Sequence, residues 1–188
     1  MKQIKDPIVV NDHYYNVQPV LFLDLDGTVR ESKRGKMFIQ SVQDIKIKDY
    51  VVDIIRSYKS RGYLIIAITN QGGVAYGIKT EEEVREELKI TNRLCDGLFD
   101  FMLYSPFHPK GTHYPYNIKS QSRKPSTGMI MEAESGLFFE LGTQIDYAGS
   151  LFVGDSDEDK MCAFNAGIKF IWANEFFSSD RIKALLIK

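Results

Sequence analysis

Val20-Leu-Phe-Leu-Asp24-Leu-Asp26-Gly27-Thr28 is the stretch on which the fold turns. Four apolar residues lead into two carboxylates one residue apart, followed by a glycine. A short apolar run bounded in this way predicts a fully buried strand with polar residues at its carboxyl end. Strand alternation puts Asp24 and Asp26 on one face. Two carboxylates side by side repel unless a cation or a shared proton relieves them. Gly27 permits a sharp turn, and Thr28 is placed to cap the next element. The bland alternative is a strand ending in a solvated Asx turn.

Outward from this stretch, strands and helices alternate. Ile47, Tyr50, Val51, Ile54, Ile55 and Tyr58 form one apolar stripe, which predicts an amphipathic helix stopped near Gly62. Tyr63 to Ile68 reads as a buried strand, with Thr69-Asn70-Gln71-Gly72-Gly73 as the loop at its end. A second helix is expected over 81–96, capped by Thr80, then a strand over 101–104 and a long polar loop over 105–122. Arg123-Lys124-Pro125 leads into a helix over about 127–141. Ser150 to Val153 is another buried strand, running into Gly154-Asp155-Ser156-Asp157-Glu158-Asp159. A helix carrying Met161, Cys162, Phe164 and Asn165 and a last strand over 168–172 complete the pattern. Ile8-Val9-Val10 reads as an edge strand, and Ala184, Leu185 and Ile187 as a tail that docks on the body. The alternation predicts an α/β domain with a mostly parallel central sheet and helices on both faces. The expected organisation is an N-terminal extension over 1–19 and one domain over 20–188.

In open parallel sheets ligands bind outside the carboxyl ends of the strands. That rule gathers Asp24, Asp26, Thr69, Asn70 and Asp155 at one place. Three carboxylates offer hard oxygen ligands of the kind Mg²⁺ takes while keeping waters and bridging to phosphate. Lys124 and Arg123 add positive charge, and Thr69, Asn70 and Gln71 add neutral donors. A cation, a lysine and donors around a carboxylate suit phosphoryl transfer, where charge on the equatorial oxygens must be stabilised. An aspartate can itself be the nucleophile, forming an aspartyl-phosphate. The second aspartate can serve as acid and then base if its neighbours raise its pKa. The cations Arg30, Lys33, Arg34 and Lys36 read either as a solvated loop or as charges that approach an anionic substrate near the Asp pair.

Composition narrows the setting. The 188 residues carry 24 Lys and Arg against 25 Asp and Glu, so no global charge pulls the chain to nucleic acid or membrane. Its apolar runs are too short to span a bilayer. Cys95 and Cys162 are isolated and read as buried thiols in a reducing compartment, with a cytoplasmic location expected.

Asp24-Leu-Asp26-Gly27-Thr28, Thr69-Asn70-Gln71, Arg123-Lys124-Pro125 and Gly154-Asp155 through Asp159 resemble, in order, the four motifs of the haloacid dehalogenase (HAD) phosphohydrolase superfamily. The resemblance covers about residues 20–177. It implies a Rossmann-like fold and a Mg²⁺-dependent phosphomonoester hydrolase working through a phospho-aspartate. Asp24 would be nucleophile and metal ligand. Asp26 would be general acid/base, with its backbone carbonyl on the metal. Thr69 would bind the transferring group, Lys124 would stabilise it and tether Asp24, and Asp155 would complete the metal shell. Asp157 or Asp159 would assist through water, with Asp157 read as a solvated helix start. Neither inter-motif gap holds a domain-sized insert, which implies no large cap.

Two capless groups are similar in detail. One acts on small metabolites such as heptose bisphosphate or histidinol phosphate, the other on polynucleotide 3′-phosphates. Arg123-Lys124-Pro125-x-x-Gly128-Met129 fits both. The first expectation is a small phosphorylated sugar or related metabolite. The second is a DNA or RNA 3′ end, suggested by the basic loop and by Gly35-Lys36-Met37-Phe38 and Glu175-Phe176-Phe177. A non-catalytic phospho-ligand binding module is the third. The places where metabolite phosphatases often carry zinc ligands hold Ser105, Phe107, Ser120 and Ser122, and His108 and His113 alone cannot make a zinc site. Tyr76 stands where both groups usually have arginine. Gly72 to Thr80 nearly spells a phosphate-binding P-loop, but Ile78 separates Gly77 from Lys79. Tyr14, Tyr15, Tyr114 and Tyr116 read as packed loop tyrosines or as base-stacking platforms.

Overall fold

The computed structural model describes residues 8–10, 13–36 and 38–178. Its elements run β1 (Ile8–Val10), β2 (His13–Gln18), β3 (Val20–Leu23), β4 (Arg30–Ser32), β5 (Ile45–Ile47), α1 (Val51–Ser60), β6 (Leu64–Asn70), α2 (Glu81–Leu94), β7 (Phe101–Ser105), α3 (Gly128–Leu141), β8 (Thr143–Ile145), β9 (Leu151–Gly154), α4 (Asp157–Asn165), β10 (Lys169–Trp172) and α5 (Ala173–Phe176). Five strands form a parallel sheet in the order β10-β9-β3-β6-β7. The connections run one way from β3 through β6 to β7, and the other way through β9 to β10. The strand order therefore reverses between β3 and β9, where a crevice opens at their carboxyl ends.

Period-two alternation sorts the strands' side chains between two cores. Leu21, Leu23, Ile65, Ala67 and Val153 pack with Ile54 and Ile55 of α1 and Val84 and Leu88 of α2. Val20, Phe22, Ile66, Ile68 and Phe152 pack with Ile130 and Ala133 of α3 and Cys162 and Ala163 of α4. Helices thus cover both faces, so every residue of β3 is buried and its sequence reads as a continuous apolar run. Burial also pushes the Cys95 and Cys162 thiols up to about 12.

The structure departs from expectation at several places. Arg30–Ser32 is not loop but the strand β4, paired antiparallel with β5. Ile47 lies in β5, and α1 begins only at Val51, after a left-handed Tyr50 that is largely exposed. A side chain that the helical stripe places inside is therefore outside, because the chain turns there instead of coiling. Thr28 caps no helix. It sits in the turn joining β3 to β4, fully buried, and its hydroxyl has no hydrogen-bond partner. Leu141 at the end of α3 is exposed, although helical spacing puts it on the apolar side with Met129, Ile130, Ala133 and Leu137, which are buried. A small second sheet, β1-β2-β8, was not legible as such. The tail residues Ala184, Leu185 and Ile187 lie outside the described residues.

Candidate active site

Asp24 follows β3, Thr69 and Asn70 end β6, and Asp155 follows β9, so the sheet delivers three motifs to the crevice. Lys124 comes from the loop before α3. Its ammonium is buried and donates to Asp24 Oδ1 at 2.6 Å, Asp159 Oδ1 at 2.6 Å and the Ile68 carbonyl at 3.0 Å. An ammonium has three protons, and all three are placed. Carboxylate oxygens of Asp24, Asp155 and Asp159 lie within 4.8 Å of one another.

Two glycines make this closeness sterically possible. A Cβ on Gly27, whose φ is +88, would sit 1.9 Å from Asp155 Oδ2. One on Gly154 would sit 2.4 Å from Asp159 Cβ. Asp159 is fixed by its helix. Its Oδ2 accepts from the Ser156 amide at 3.0 Å and hydroxyl at 2.7 Å, while the Ser156 hydroxyl accepts from the Asp159 amide, a reciprocal cap at the start of α4. Asp159 thus turns inward to Lys124, while Asp157 is exposed.

Two buried carboxylates share one lysine, with the exposed Asp155 beside them, and the electrostatics show the crowding. Burial pushes the Asp24 carboxyl up to about 7, against the pull of Lys124 and with the repulsion of Asp159 and Asp26. Burial and Asp159 also raise Asp155. A hard divalent cation among these oxygens would remove that penalty, so the donor set fits Mg²⁺.

Asp26 is different. Its Oδ1 accepts from Arg30 Nε at 2.7 Å, and its Oδ2 from Gln71 Nε2 at 2.6 Å and Arg30 at 3.3 Å. Burial works to raise its pKa but is outweighed by the charge and hydrogen bond of Arg30, the hydrogen bond of Gln71 and the charge of Lys79, so it falls below the usual carboxylate range. The neighbours therefore lower this pKa, the opposite of what an acid poised near neutrality calls for. Arg30 itself is fully buried and spends its charge on Asp26, so it is neither a solvated loop residue nor a free cation for a substrate. Lys33, Arg34 and Lys36 are exposed, and Lys33 donates to the Gln43 carbonyl.

The remaining motif residues serve each other. Gln71 also donates to Thr69 Oγ1 at 3.0 Å. The Asn70 side chain accepts from the Lys124 amide and donates to the Lys124 carbonyl and to Glu158, bracing the loop that carries Lys124. Arg123 reaches Glu158 at 3.4 Å and the Phe107 carbonyl at 3.3 Å.

The long loop folds back over the loop after β6. The amides of Thr112 and His113 both donate to the Ala75 carbonyl at 2.8 Å, and Gly111 sits so close that a Cβ would lie 2.5 Å from that oxygen. Ser105, Ser120 and Ser122 meet as a chain of hydroxyls, at 3.2 and 2.9 Å. His108 pairs with the Tyr76 hydroxyl at 3.1 Å. Tyr116 stacks on His113 and donates to Glu81, while Tyr114 is 82% exposed. A cavity of about 410 Å³ opens beside Asp155, lined by Gly27, Lys48, Trp172, Asn174 and Glu175 among others. A larger hollow of about 550 Å³ lies against the edge strand β7, on residues such as Leu88 and Phe101, and includes none of the motif residues.

Residues 19–177 match the family model of the polynucleotide kinase 3 phosphatase. The chain belongs to that family. It is a phosphatase of the HAD superfamily, with that superfamily's mostly parallel α/β fold. Among its relatives, the D-glycero-D-manno-heptose-1,7-bisphosphate 7-phosphatase of Chlorobaculum tepidum is 35% identical, over 81% of this chain and 76% of that protein. The D-glycero-beta-D-manno-heptose-1,7-bisphosphate 7-phosphatase of Yersinia pestis is 32% identical, over 80% of this chain and 77% of that protein. Among solved structures, a HAD-like phosphatase from Mesorhizobium loti superposes with a TM-score of 0.69 at 25% identity, covering 87% of this chain and 75% of that one. The D,D-heptose 1,7-bisphosphate phosphatase of B. bronchiseptica, solved with magnesium and phosphate, gives 0.62 at 24% identity, covering 81% of this chain and 78% of that one, and so shares the fold. No helix among the described residues is long and apolar enough to cross a membrane.

Proposed function

We propose that the chain is a Mg²⁺-dependent phosphomonoester hydrolase that passes the phosphoryl group through Asp24 and acts on a small phosphorylated sugar. The observation that carries this reading is Lys124 between Asp24 and Asp159, at 2.6 Å from each, with Asp155 beside them. Lys124 occupies Oδ1 of Asp24, so Oδ2 is the oxygen left for attack. It bonds to phosphorus as the ester P–O bond breaks, and Asp26 gives a proton to the departing oxygen. Arg30 keeps Asp26 ionised in the free protein, so that proton arrives with the substrate, whose second ionisation lies near pKa ~6. In the second step Asp26 takes a proton from water as its oxygen bonds to phosphorus and the Asp24–phosphorus link breaks. The Thr69 hydroxyl donates to a transferring oxygen and Lys124, its three protons already placed, contributes its positive charge beside it, while Gln71 and Asn70 orient Asp26 and the Lys124 loop. Asp24 and Asp155, with Asp159 near and the Asp26 carbonyl as a further donor, would hold Mg²⁺, which supplies charge for the phosphoryl oxygens.

The sugar substrate is drawn from the heptose bisphosphate phosphatases to which the chain is 35% and 32% identical. The family match, whose description names a polynucleotide phosphatase, favours a 3′-phosphorylated strand as the second reading. Phosphate release from sugar phosphates and from a 3′-phosphorylated oligonucleotide, with and without Mg²⁺, separates the two. The sugar reading expects Mg²⁺-dependent turnover of a sugar phosphate that changes little with salt. Turnover confined to the oligonucleotide and falling steeply with salt would overturn it.

A further inference from the structure

Arg30 and its partners form a buried charge network to which the proposed two-step reaction assigns no positioning role. The guanidinium grips Asp26 with two donors, Nε on Oδ1 at 2.7 Å and an Nη on Oδ2 at 3.3 Å. Its other Nη donates to Thr91 Oγ1 at 2.7 Å and to the Glu87 carbonyl at 3.4 Å, and the Glu87 carboxylate lies 3.5 Å from the Nη that meets Asp26. Glu87 is held in turn by Lys79, at 2.6 and 2.9 Å. The four charges balance, and Arg30 and Glu87 are 0% and 2% exposed.

A purely structural staple explains this poorly. Buried ion pairs are weak stabilisers compared with apolar residues of similar volume. Nor does the turn need the guanidinium, because its backbone is already closed by Gly27 N–H to the Arg30 carbonyl and Arg30 N–H to the Leu25 carbonyl, both at 2.9 Å. What the side chain adds is a two-point grip on one carboxylate, anchored on a helix. Such a fork fixes orientation as well as charge.

We infer that Arg30, anchored by Thr91 and Glu87 of α2, is a positioning residue that holds the Asp26 carboxylate toward the leaving oxygen. This rests on the reading of Asp26 as the general acid/base. Its chemical signature is dependence on the leaving group. An alkoxide needs a proton as it departs, whereas p-nitrophenolate leaves without one, and a positioned acid contributes roughly 10²–10⁴-fold.

The test compares first-turnover release of the leaving group from a hexose 6-phosphate and from p-nitrophenyl phosphate, in wild type, Arg30→Gln, Arg30→Lys, Thr91→Val and Asp26→Asn. Arg30→Gln is expected to release the hexose about 10- to 100-fold more slowly, to change p-nitrophenolate release by less than about threefold and to leave KM nearly unchanged, as expected of a group acting only in the transition state. Arg30→Lys should restore part of the loss. Thr91→Val keeps every charge and the side-chain shape, so it tests the anchor even if Arg30→Gln does not fold. It should show the same selectivity, a few-fold in size. Equal losses on both substrates, or none in a folded Arg30→Gln or Thr91→Val, would overturn the inference. If Asp26→Asn itself shows no preference between the two esters, the assignment of Asp26 fails instead.

Discussion

Lys124 Nζ lies 2.6 Å from Asp24 Oδ1, joining two residues one hundred positions apart in the chain. The same ammonium meets Asp159 Oδ1 at 2.6 Å, so one cation holds together the ends of β3, the loop before α3 and the start of α4. Removing it should cost both stability and activity. Lys124→Met leaves two buried carboxylates without their counter-charge, and breaking a buried pair this way costs about 3–5 kcal/mol. Urea unfolding should show that loss, and phosphate release should vanish. Adding Asp24→Asn to Lys124→Met removes one of the stranded charges, so the double variant should be more stable than Lys124→Met alone. A double variant that is further destabilised by the full cost of Asp24→Asn would mean the two side chains do not interact.

The carboxylate cluster gives a second expectation. A cation that binds the folded state alone stabilises it by mass action, about 2.7 kcal/mol at a hundredfold excess over Kd. Saturating Mg²⁺ should therefore raise the melting temperature of the wild type by several degrees. Asp155→Asn should reduce or abolish that shift. In metal-free solution it should melt slightly higher than wild type, because the exposed Asp155 carboxylate stands within 4.8 Å of those of Asp24 and Asp159 and is repelled where it sits. A full Mg²⁺ shift in Asp155→Asn would move the cation elsewhere.

Thr28 makes a prediction of the opposite sign from most core substitutions. Its hydroxyl is buried without a partner, and an unsatisfied polar group costs roughly 1–3 kcal/mol. Valine has the same shape without the hydroxyl. Thr28→Val should stabilise the protein by about 1 kcal/mol, or about 2–4 °C in Tm for a chain of this size. A destabilised Thr28→Val would show that the hydroxyl has a partner in solution.

The parallel sheet was legible because β3, β6 and β9 are buried on both faces, which writes them as unbroken apolar runs beside polar ends. The meeting of Asp24, Thr69 and Asp155 was legible for the same reason, since sheet topology brings strand ends together whatever the loops between them do, whereas Lys124, on the loop before α3, was legible only through its Arg-Lys-Pro motif. The inward turn of Asp159 was harder to see. It stands in an acidic run whose other members, Asp157 and Glu158, are the exposed first turn of a helix, and only its reciprocal cap with Ser156 turns it inward. Arg30 was hidden in a run of basic residues, and its partner Glu87 lies 57 positions away. A signal did exist. Glu87 and Thr91 fall on the same face of α2 as Val84 and Leu88, and a glutamate on an apolar stripe asks for a buried cation. Tyr50 went wrong because helical spacing continued across a turn that the spacing alone does not reveal.

The proposed reaction hinges on transfer of the phosphoryl group to Asp24. Acid-quenching the wild-type enzyme during turnover, with peptide mass spectrometry of the quenched protein, tests it most directly. A phosphorylated, hydroxylamine-sensitive peptide carrying Asp24 is expected, absent in Asp24→Asn, which should also release no phosphate. Phosphate release at the wild-type rate by a folded Asp24→Asn, or a phosphoryl group trapped on another residue, would contradict it.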